Sequence, residues 1–285
     1  MSNKEDFGSE YRVITPDHNF FDLDLAELYE YRDLIFFYAR KNIVTGFKQT
    51  VLGPVWLFLQ PLMSSLLYLF VFGNLAGFST DGVPKILFYI FSNTLWTYFR
   101  TIADQNVNIF AANSGLFGKV HFPRLTISFA NMISSLVPML FQFILGSVLL
   151  GIYSINGSVS VRATAPLALV CIPWAAMAAM GIGLIFSSIT IRYRDLRKVF
   201  SLFISVLMYG APVVYPMSQI SNGLLKSLID FNPLTPCFET MRHLIWGAPR
   251  PPVYSVIWSE AVTLIIFIFG MLLFNHTDRT FVDVI

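Results

Sequence analysis

The chain has 285 residues, of which 55% are hydrophobic and only 13% are charged, whereas a soluble domain is about 25% charged. Its mean hydropathy of +0.63 and its 28 phenylalanines exclude an ordinary soluble domain and indicate an integral membrane protein. The formal net charge of +2 is small, so only the distribution of charges along the chain is informative.

The first part of the chain is predicted to lie outside the membrane core. Residues 1–23 form a polar tail, and the first 20 residues contain no apolar core, so no cleavable signal peptide is expected. Residues 24–44 are predicted to form an amphipathic helix, with Leu25, Leu28, Ile35 and Phe36 on one face. Such a helix lies in the plane of the membrane interface. It is either a simple anchor or a platform that faces a cytoplasmic partner.

The stretch FKQTVLGPVWLFLQPL, residues 47–62, passes from charged residues into the first long apolar run. Lys48 precedes a Gly-Pro pair, and Trp56 follows it. Because tryptophan prefers the headgroup level, with its ring buried and its N–H in water, Trp56 is predicted to mark where lipid begins.

Six segments are predicted to span the membrane, since each has about the 20 apolar residues that a bilayer requires. They cover approximately residues 52–76, 86–108, 125–153, 165–190, 197–216 and 254–275. With the N-terminus inside, the cytoplasmic segments hold 13 of the 19 Lys and Arg residues, the outer segments hold 5, and Arg100 lies within a span. This bias predicts that both termini are cytoplasmic.

Residues 217–253 join the fifth and sixth predicted spans. They contain FNPLTPCFETMRHLIWG, in which prolines and a glycine separate apolar groups too short to cross a bilayer. A pair of short helices that re-enter or rest on the outer leaflet is predicted here, because lipid does not tolerate exposed non-helical backbone. The fold class is therefore all-α: one membrane domain over residues 24–285, with six spans, an interface helix and these short outer helices.

Several kinds of active site are missing from the sequence. No G-x-x-x-x-G-K-[ST] motif occurs, so the chain is not expected to hydrolyse ATP by itself. The four histidines are scattered, which argues against a metal site, and Cys171 and Cys237 are too few for a disulfide framework. Arg100 and Asp104 are spaced for an i,i+4 pair, and no buried carboxylate relay of a proton-driven carrier is seen.

Three stretches carry a resemblance to a known family. They are RDLIFFYARKNIVTGFKQTVLGPVWLFLQPL (32–62), NSGLFGKVHFPR (113–124) and NPLTPCFETMRHLIWG (232–247), supported by YRDL, PVVYP and the ending FVDVI. In order and spacing they resemble the permease subunit of type-2 ABC exporters of polysaccharides, the transporters of O-antigen, capsule and teichoic acid. The resemblance covers nearly the whole chain.

The resemblance implies a non-enzymatic transport subunit of the bacterial inner membrane. Two permease copies would pair with two ATPase subunits, which bind ATP and Mg, and would move a polysaccharide linked to undecaprenyl diphosphate. No cofactor in this chain and no nucleic acid are expected. Residues implied to couple to the ATPase are Asn113, Leu116, Phe117, Lys119, Phe122 and Arg124. Residues implied to form an outer gate are Pro233, Phe238, Met241, Leu244 and Trp246.

Two helical stripes are candidates for the polysaccharide pathway, because aromatic rings can slide along the apolar faces of sugars. They consist of Phe58, Ser65, Tyr68 and Phe72 on the first span and of Ser201, Ser205 and Tyr209 on the fifth. Ordinary helix packing explains the same stripes, as does lipid contact for the first span. Candidates for binding the lipid diphosphate are Arg40, Lys41, Lys48 and Arg100, which positive-charge anchoring also explains.

Other functions stay open at this point. One alternative is a permease for teichoic acid, capsule or another small lipid or drug. A membrane enzyme acting on lipid-linked sugars is a further alternative, but it needs clustered carboxylates or histidines at one membrane face, and the sequence has no such cluster.

Overall fold

The computed structural model describes residues 25–48, 53–117, 122–193, 195–221 and 223–281. Within these ranges the chain is helical and has no strand, as the all-α prediction requires. The α-helices are α1 (Leu25–Glu30), α2 (Arg32–Phe47), α3 (Trp56–Tyr68), α4 (Lys85–Val107), α5 (Ile109–Phe117), α6 (Leu125–Ile155), α7 (Cys171–Thr190), α8 (Leu196–Gly210), α9 (Leu224–Asp230), α10 (Thr235–Trp246) and α11 (Val253–Phe281). A π-helix, Leu69–Leu75, continues α3, and a 3₁₀-helix, Ala165–Val170, leads into α7. The predicted tail, residues 1–23, lies outside the described residues.

Four helical segments of the described chain are long and apolar enough to cross a membrane: Trp56–Leu75, Leu125–Ile155, Ala165–Thr190 and Val253–Asp278. They correspond to the first, third, fourth and sixth predicted spans. The second predicted span is α4, which is long enough with 23 residues but carries many polar side chains. The fifth is α8, whose 15 residues extend only about 22 Å.

The helix within the fifth predicted span, about residues 197–216, is shorter than that span. The helix ends at Gly210, and Ala211 adopts extended backbone with φ −107° and ψ 148°. Pro212 explains the end of α8, because a proline ring clashes with a helical conformation of the residue before it. The chain leaves α8 at this point and turns back toward α10.

Helix α4 lies at the centre of the fold. It packs against α6 on one side and α7 on the other, and α3 also contacts it. Most of its residues are buried, including the polar Ser92, Asn93 and Thr94. Ser92 and Thr94 donate to the carbonyl oxygens of Phe88 and Ile90 in the preceding turn. These hydroxyls are therefore satisfied within the helix, which removes much of the cost of burying them.

Helices α7 and α11 are in backbone contact. A Cβ atom placed on Gly181 would lie 2.7 Å from the carbonyl carbon of Ile266, and one on Gly270 would lie 2.5 Å from the carbonyl oxygen of Gly181. Neither distance is compatible with a side chain. Small residues permit such close packing between helices in a membrane, where dispersion and backbone contact replace the hydrophobic effect.

The predicted interface helix is observed as two helices, α1 and α2, separated at Tyr31. Tyr38 and Ala39 of α2 are buried, and the Asn42 side chain donates to Asn131 Oδ1 of α6 over 3.1 Å. Phe36, which was predicted on the apolar face that includes Ile35, is 61% exposed, beside the exposed Phe37. The protein-facing side of α2 contains Tyr38 and Asn42, and these two phenylalanines lie where the rest of the chain does not cover them.

Two short helices are present between α8 and α11, in the region predicted to hold them. Helix α10 is largely buried and packs on the 3₁₀-helix before α7, on α7 and on α11. Helix α9 has only 7 residues, and its Leu224, Leu225 and Leu228 are exposed. Neither helix is long enough to cross a bilayer.

We expect Gly270→Leu to destabilise the protein, because the new side chain meets the α7 backbone. Overpacking of this kind typically costs about 1–3 kcal/mol. The readout is the midpoint of thermal unfolding of the detergent-purified chain. Gly151→Ala is the matched control, since a Cβ atom there meets no atom within 4 Å. An equal midpoint for both variants would contradict the close contact between α7 and α11.

Candidate functional site

Aromatic side chains of α3 and α8 form a cluster with the loop that follows each helix. The members of this aromatic cluster are Tyr68, Phe72, Phe78, Tyr209 and Tyr215. The Phe72 ring centroid lies 6.0 Å from that of Phe78 and 6.4 Å from that of Tyr209, and Phe78 lies 6.4 Å from Tyr215. Tyr68 contacts Met208 of α8, with its hydroxyl 3.7 Å from the sulfur. The predicted stripes on the first and fifth spans thus meet at these residues.

Tyr209 is 55% exposed, and the hydroxyl of Tyr215 donates to its carbonyl oxygen over 2.6 Å. The cluster therefore joins α3 to α8 while leaving an aromatic surface uncovered. Such a surface presents flat apolar rings with a hydroxyl at the edge, which suits contact with sugars as well as with lipid.

The other members of the two stripes are placed differently. Phe58 packs against Phe141 of α6, with ring centroids 5.1 Å apart. Ser65 is completely buried, and its hydroxyl lies 3.4 Å from the Asn93 amide of α4. Ser201 and Ser205 are exposed on α8, where the Ser205 hydroxyl donates to the Ser201 carbonyl.

The predicted cations near α2 are at the protein surface. Arg40, Lys41 and Lys48 are all exposed, and the Lys41 ammonium lies 5.3 Å from the Tyr38 ring centroid. Arg100 forms the predicted i,i+4 pair with Asp104, with Nε and Oδ2 3.4 Å apart and both side chains nearly half exposed. Solvent or lipid headgroups can reach all four cations.

The described residues at both ends of the segment implied to couple to an ATPase contact α2 and α11. Phe122 is 6% exposed and stacks on Tyr38, with ring centroids 6.1 Å apart. Arg124 forms an ion pair with Asp278 of α11, and its guanidinium carbon lies 4.6 Å from the Phe117 ring centroid.

Three other residues were implied to couple to the ATPase: Asn113, Leu116 and Lys119. Asn113 donates to the Ile109 carbonyl within α5. Lys119 and the Leu116 side chain lie outside the described residues. Phe117, Phe122 and Arg124 are thus turned toward the protein, where Phe122 contacts α2 and Arg124 contacts α11.

A buried ion pair connects α10 to α4. Arg242 is 1% exposed, and its Nη1 donates to Glu239 Oε1 over 2.8 Å. Its Nη2 donates to Ser92 Oγ of α4 over 2.7 Å, and its guanidinium carbon lies 3.9 Å from the Phe88 ring centroid. Burial lowers the pKa of Arg242, and the Glu239 carboxylate acts in the opposite direction.

The same guanidinium also fixes the chain after α8. Nη2 donates to the carbonyl oxygens of Pro212 and Val213, and Glu239 Oε1 accepts from the backbone N–H of Met217. The carbonyl groups of Pro212 and Val213, which follow the end of α8, would otherwise be buried without hydrogen-bond donors. One ion pair thus holds together three parts of the chain: α10, α4 and the turn after α8.

The residues predicted to form an outer gate lie around this ion pair. Phe238, Met241 and Trp246 are buried, Leu244 is half-buried, and the Pro233 carbonyl accepts from the Ser259 hydroxyl of α11.

On the far side of α10, the Thr164 hydroxyl donates to the Leu244 carbonyl over 2.9 Å. His243 Nδ1 lies 2.7 Å from the Ala248 carbonyl oxygen, so it must carry the proton, and Nε2 then accepts from Arg162. Helix α10 is therefore fixed on both sides.

Cys171 and Cys237 are free and buried, with the Cys237 sulfur 3.5 Å from the Cys171 carbonyl oxygen. Among the residues that the structure describes, no three His, Cys, Asp or Glu side chains are grouped so that they could hold a metal ion.

Comparison with known families gives one match, to the membrane domain of the ABC-2 type transporters, over residues 33–246. This chain belongs to the ABC-2 type transporter family. The match begins in α2 and ends with α10, so it includes the aromatic cluster and the buried Arg242–Glu239 pair.

Curated relatives of this ABC-2 type chain align along nearly their whole length. It is 24% identical over 255 residues to the "O-antigen export system permease protein RfbA" of Klebsiella pneumoniae, covering 89% of this chain and 95% of the relative. It is 22% identical over 261 residues to the protein of the same name from Myxococcus xanthus, covering 91% and 98%. It is also 23% identical over 242 residues to the "Polysialic acid transport protein KpsM" of Escherichia coli, covering 84% and 91%. The resemblance inferred from sequence motifs is thereby confirmed.

Sequence reasoning missed Arg242 and Glu239 in this ABC-2 type chain. The signal was present: two opposite charges three residues apart in a short segment that is otherwise mostly apolar. The α4 partner of Arg242 could not be predicted in this way, because Ser92 lies 150 positions earlier in the sequence.

We expect Arg242→Met to lower the free energy of unfolding by about 3–5 kcal/mol, because it leaves the Glu239 carboxylate buried without its cation. Arg242→Lys should also destabilise, since one ammonium cannot replace the several fixed donors of the guanidinium. Thermal unfolding of the purified chain is the measurement, with Arg250→Met, at an exposed position, as the control.

The double variant Glu239→Gln/Arg242→Met should be more stable than Arg242→Met alone. A single variant as stable as Arg250→Met would refute the structural role of the ion pair.

Proposed function

We propose that this chain is the permease subunit of an ATP-driven exporter that moves a lipid-linked polysaccharide, such as an O-antigen on undecaprenyl diphosphate, across the bacterial inner membrane. The observation that carries the proposal is the alignment with O-antigen permeases over 89% of this chain and 95% of the relative. The exposed aromatic cluster between α3 and α8 supports it, since rings offer sugars a surface without tight binding. In this proposal Tyr68, Phe72 and Tyr209 line the pathway.

The proposal includes six membrane crossings and cytoplasmic termini. Helix α4 packs between two helices that are long and apolar enough to span, so it crosses with them and hides its polar side chains from lipid. Helix α8 crosses together with the turn that follows it. Lys and Arg then lie mainly on the cytoplasmic side, as the positive-inside rule requires.

In this proposal, energy comes from a separate ATPase, because the sequence has no phosphate-binding loop. Two ATPase subunits pair with two copies of the chain, and the segment from Asn113 to Arg124 receives their movement. Phe122 and Arg124 pass this movement to α2 and α11 through the stacking on Tyr38 and the ion pair with Asp278. The exposed Arg40, Lys41 and Lys48 are placed to attract the diphosphate of the lipid carrier.

A capsule polysaccharide is the second candidate substrate. The observation that favours it is the similarity to a polysialic acid transport protein over 84% of this chain. The two substrates share the chemistry of a glycan on a membrane anchor, so the same experiment compares them.

The decisive experiment reconstitutes the chain with its ATPase in vesicles that contain undecaprenyl-diphosphate-linked O-antigen. We expect hydrolysis of ATP to rise several-fold and the glycan to become accessible to a lectin on the opposite face. An ATPase variant without its phosphate-binding lysine is the control and should give neither signal. Modification of the glycolipid by the chain alone, without ATP, would instead identify an enzyme. No response to O-antigen, combined with a response to a capsule glycolipid, would assign the second substrate.

We further expect Tyr209→Ala to slow glycan transport about tenfold while the complex with the ATPase stays intact, because the pathway loses an exposed ring. Phe269→Ala on α11 is the matched control, since Phe269 is 48% exposed, close to the 55% of Tyr209. Equal transport by both variants would show that the aromatic cluster is lipid-facing packing. The rate of lectin accessibility in the reconstituted vesicles is the measurement.

A further inference from the structure

Three clefts that share lining residues lie beside α4. The widest, of 620 Å³, lies between α2, α4 and α6. Of two narrower clefts, one of 180 Å³ lies between α2, α3, α4 and α6, and one of 210 Å³ lies between α3, α4 and α6. Thr101 lines all three, Ser135 lines both narrow clefts, and Gln105 lines the widest cleft and the 180 Å³ cleft. We refer to the three together as the α4 groove.

Apart from Tyr98, the side chains that α4 and its C-terminal cap contribute to this groove are Thr97, Thr101, Asp104, Gln105 and Asn108, all polar. The residues of α4 and its C-terminal cap that are not buried in its second half are Thr97, Arg100, Thr101, Asp104, Gln105 and Asn108. They recur every three or four residues and so form one stripe on the helix. A polar stripe toward lipid is costly, which indicates that the groove contains polar matter rather than hydrocarbon.

One buried group in the groove has an unused hydrogen-bonding site. Gln142 of α6 lines the 210 Å³ cleft and is only 5% exposed, yet its Oε1 accepts no hydrogen bond from any described residue. An unsatisfied buried carbonyl oxygen costs about 1–3 kcal/mol. A ligand hydroxyl that donates a hydrogen bond to this oxygen would recover that cost.

The lining restricts the chemistry of the ligand. Both narrow clefts are lined by amide, hydroxyl and apolar side chains, and none of the described residues that line them is charged. Trp56 and Tyr98 add aromatic rings to the 210 Å³ cleft. Charged side chains, Lys41 and Asp104, line only the widest cleft. Uncharged amides and hydroxyls together with aromatic rings match a neutral molecule that has many hydroxyl groups and apolar C–H faces.

We propose that the narrow part of the α4 groove binds a neutral sugar unit of the lipid-linked glycan, with Gln142 Oε1 accepting a hydrogen bond from a sugar hydroxyl. The proposal rests on the proposed function and adds a sugar-recognition site to it. Lys41, in the widest cleft, lies toward the diphosphate that follows the first sugar. The groove therefore binds the sugar nearest the lipid, before the glycan reaches the aromatic cluster.

The surface of α3 supports this order. Trp56, Gln60 and Ser64 line the groove, and the same i,i+4 ridge continues to Tyr68 and Phe72 of the aromatic cluster. Because each step of four residues turns the ridge by about 40°, it winds from the α6 side of α3 to the α8 side. A glycan following this ridge passes from polar groups to aromatic rings.

The test uses Gln142→Leu, which removes the acceptor and keeps the size of the side chain. The complex with its ATPase is titrated with undecaprenyl diphosphate that carries one neutral hexose and, separately, with undecaprenyl diphosphate alone. We expect the wild type to respond to the hexose-bearing lipid at a lower concentration than to the bare lipid. Gln142→Leu should reduce this preference about tenfold, as the loss of one well-placed hydrogen bond to a buried group predicts. Gln219→Leu is the matched control at an exposed position and should keep the preference.

A preference in Gln142→Leu equal to that of the wild type would overturn the sugar site while leaving the proposed function intact. A purely structural role for Gln142 would change the unfolding temperature of the ligand-free complex and leave the preference unchanged.

If neither lipid stimulates ATP hydrolysis by the wild type, the proposed function fails. The sugar site is then tested by the unfolding temperature of the complex measured with each lipid. A rise in the wild type on adding the hexose-bearing lipid, absent in Gln142→Leu, supports the site. No rise in the wild type refutes it.

Discussion

Polar side chains cannot face hydrocarbon without a large cost, and in the proposed arrangement of six spans this constraint determines the place of α4. The helix carries serine, asparagine and threonine in its first half and a polar stripe in its second. Neighbouring helices bury the first set, and the close α4–α7 contact requires Gly183, where a Cβ atom would lie 2.7 Å from the Asn106 Cβ. The second set is left uncovered and forms the wall of the α4 groove. The positions of α6, α7 and α10 around α4 are consistent with burial of the polar side chains in its first half.

The hydropathy of the sequence was sufficient to locate four of the spans, because long apolar runs are a property of single segments. It was less informative for α4 and α8. In α4 the buried polar groups lower the apolar signal, and their burial depends on helices distant in the sequence. In α8 the apolar run continues past the helix end, and only the proline at position 212 shows where the backbone leaves it. Composition gives the number of candidate crossings, whereas local backbone chemistry gives their ends.

The candidate site shows the same division between local and distant information. Helical periodicity placed Phe58, Ser65 and Tyr68 on one arc of α3. In the folded chain they contact three different neighbours: Phe141 of α6, Asn93 of α4 and Met208 of α8. Periodicity gives the direction of a side chain relative to its own helix, but not which helix lies there. For the same reason the groove around Thr101 and Gln142 could not be seen from either helix alone.

Burial by the rest of the chain differs strongly among the candidate spans. In the apolar part of Ala165–Thr190, 56% of the residues are buried, against 17% for Trp56–Leu75. The first is also in backbone contact with α11 through Gly181 and Gly270. The segment Trp56–Leu75 therefore leaves more of its residues uncovered by this chain than the other three candidate spans do. Because it contributes to both the α4 groove and the aromatic cluster, the two sites share the least buried of these segments.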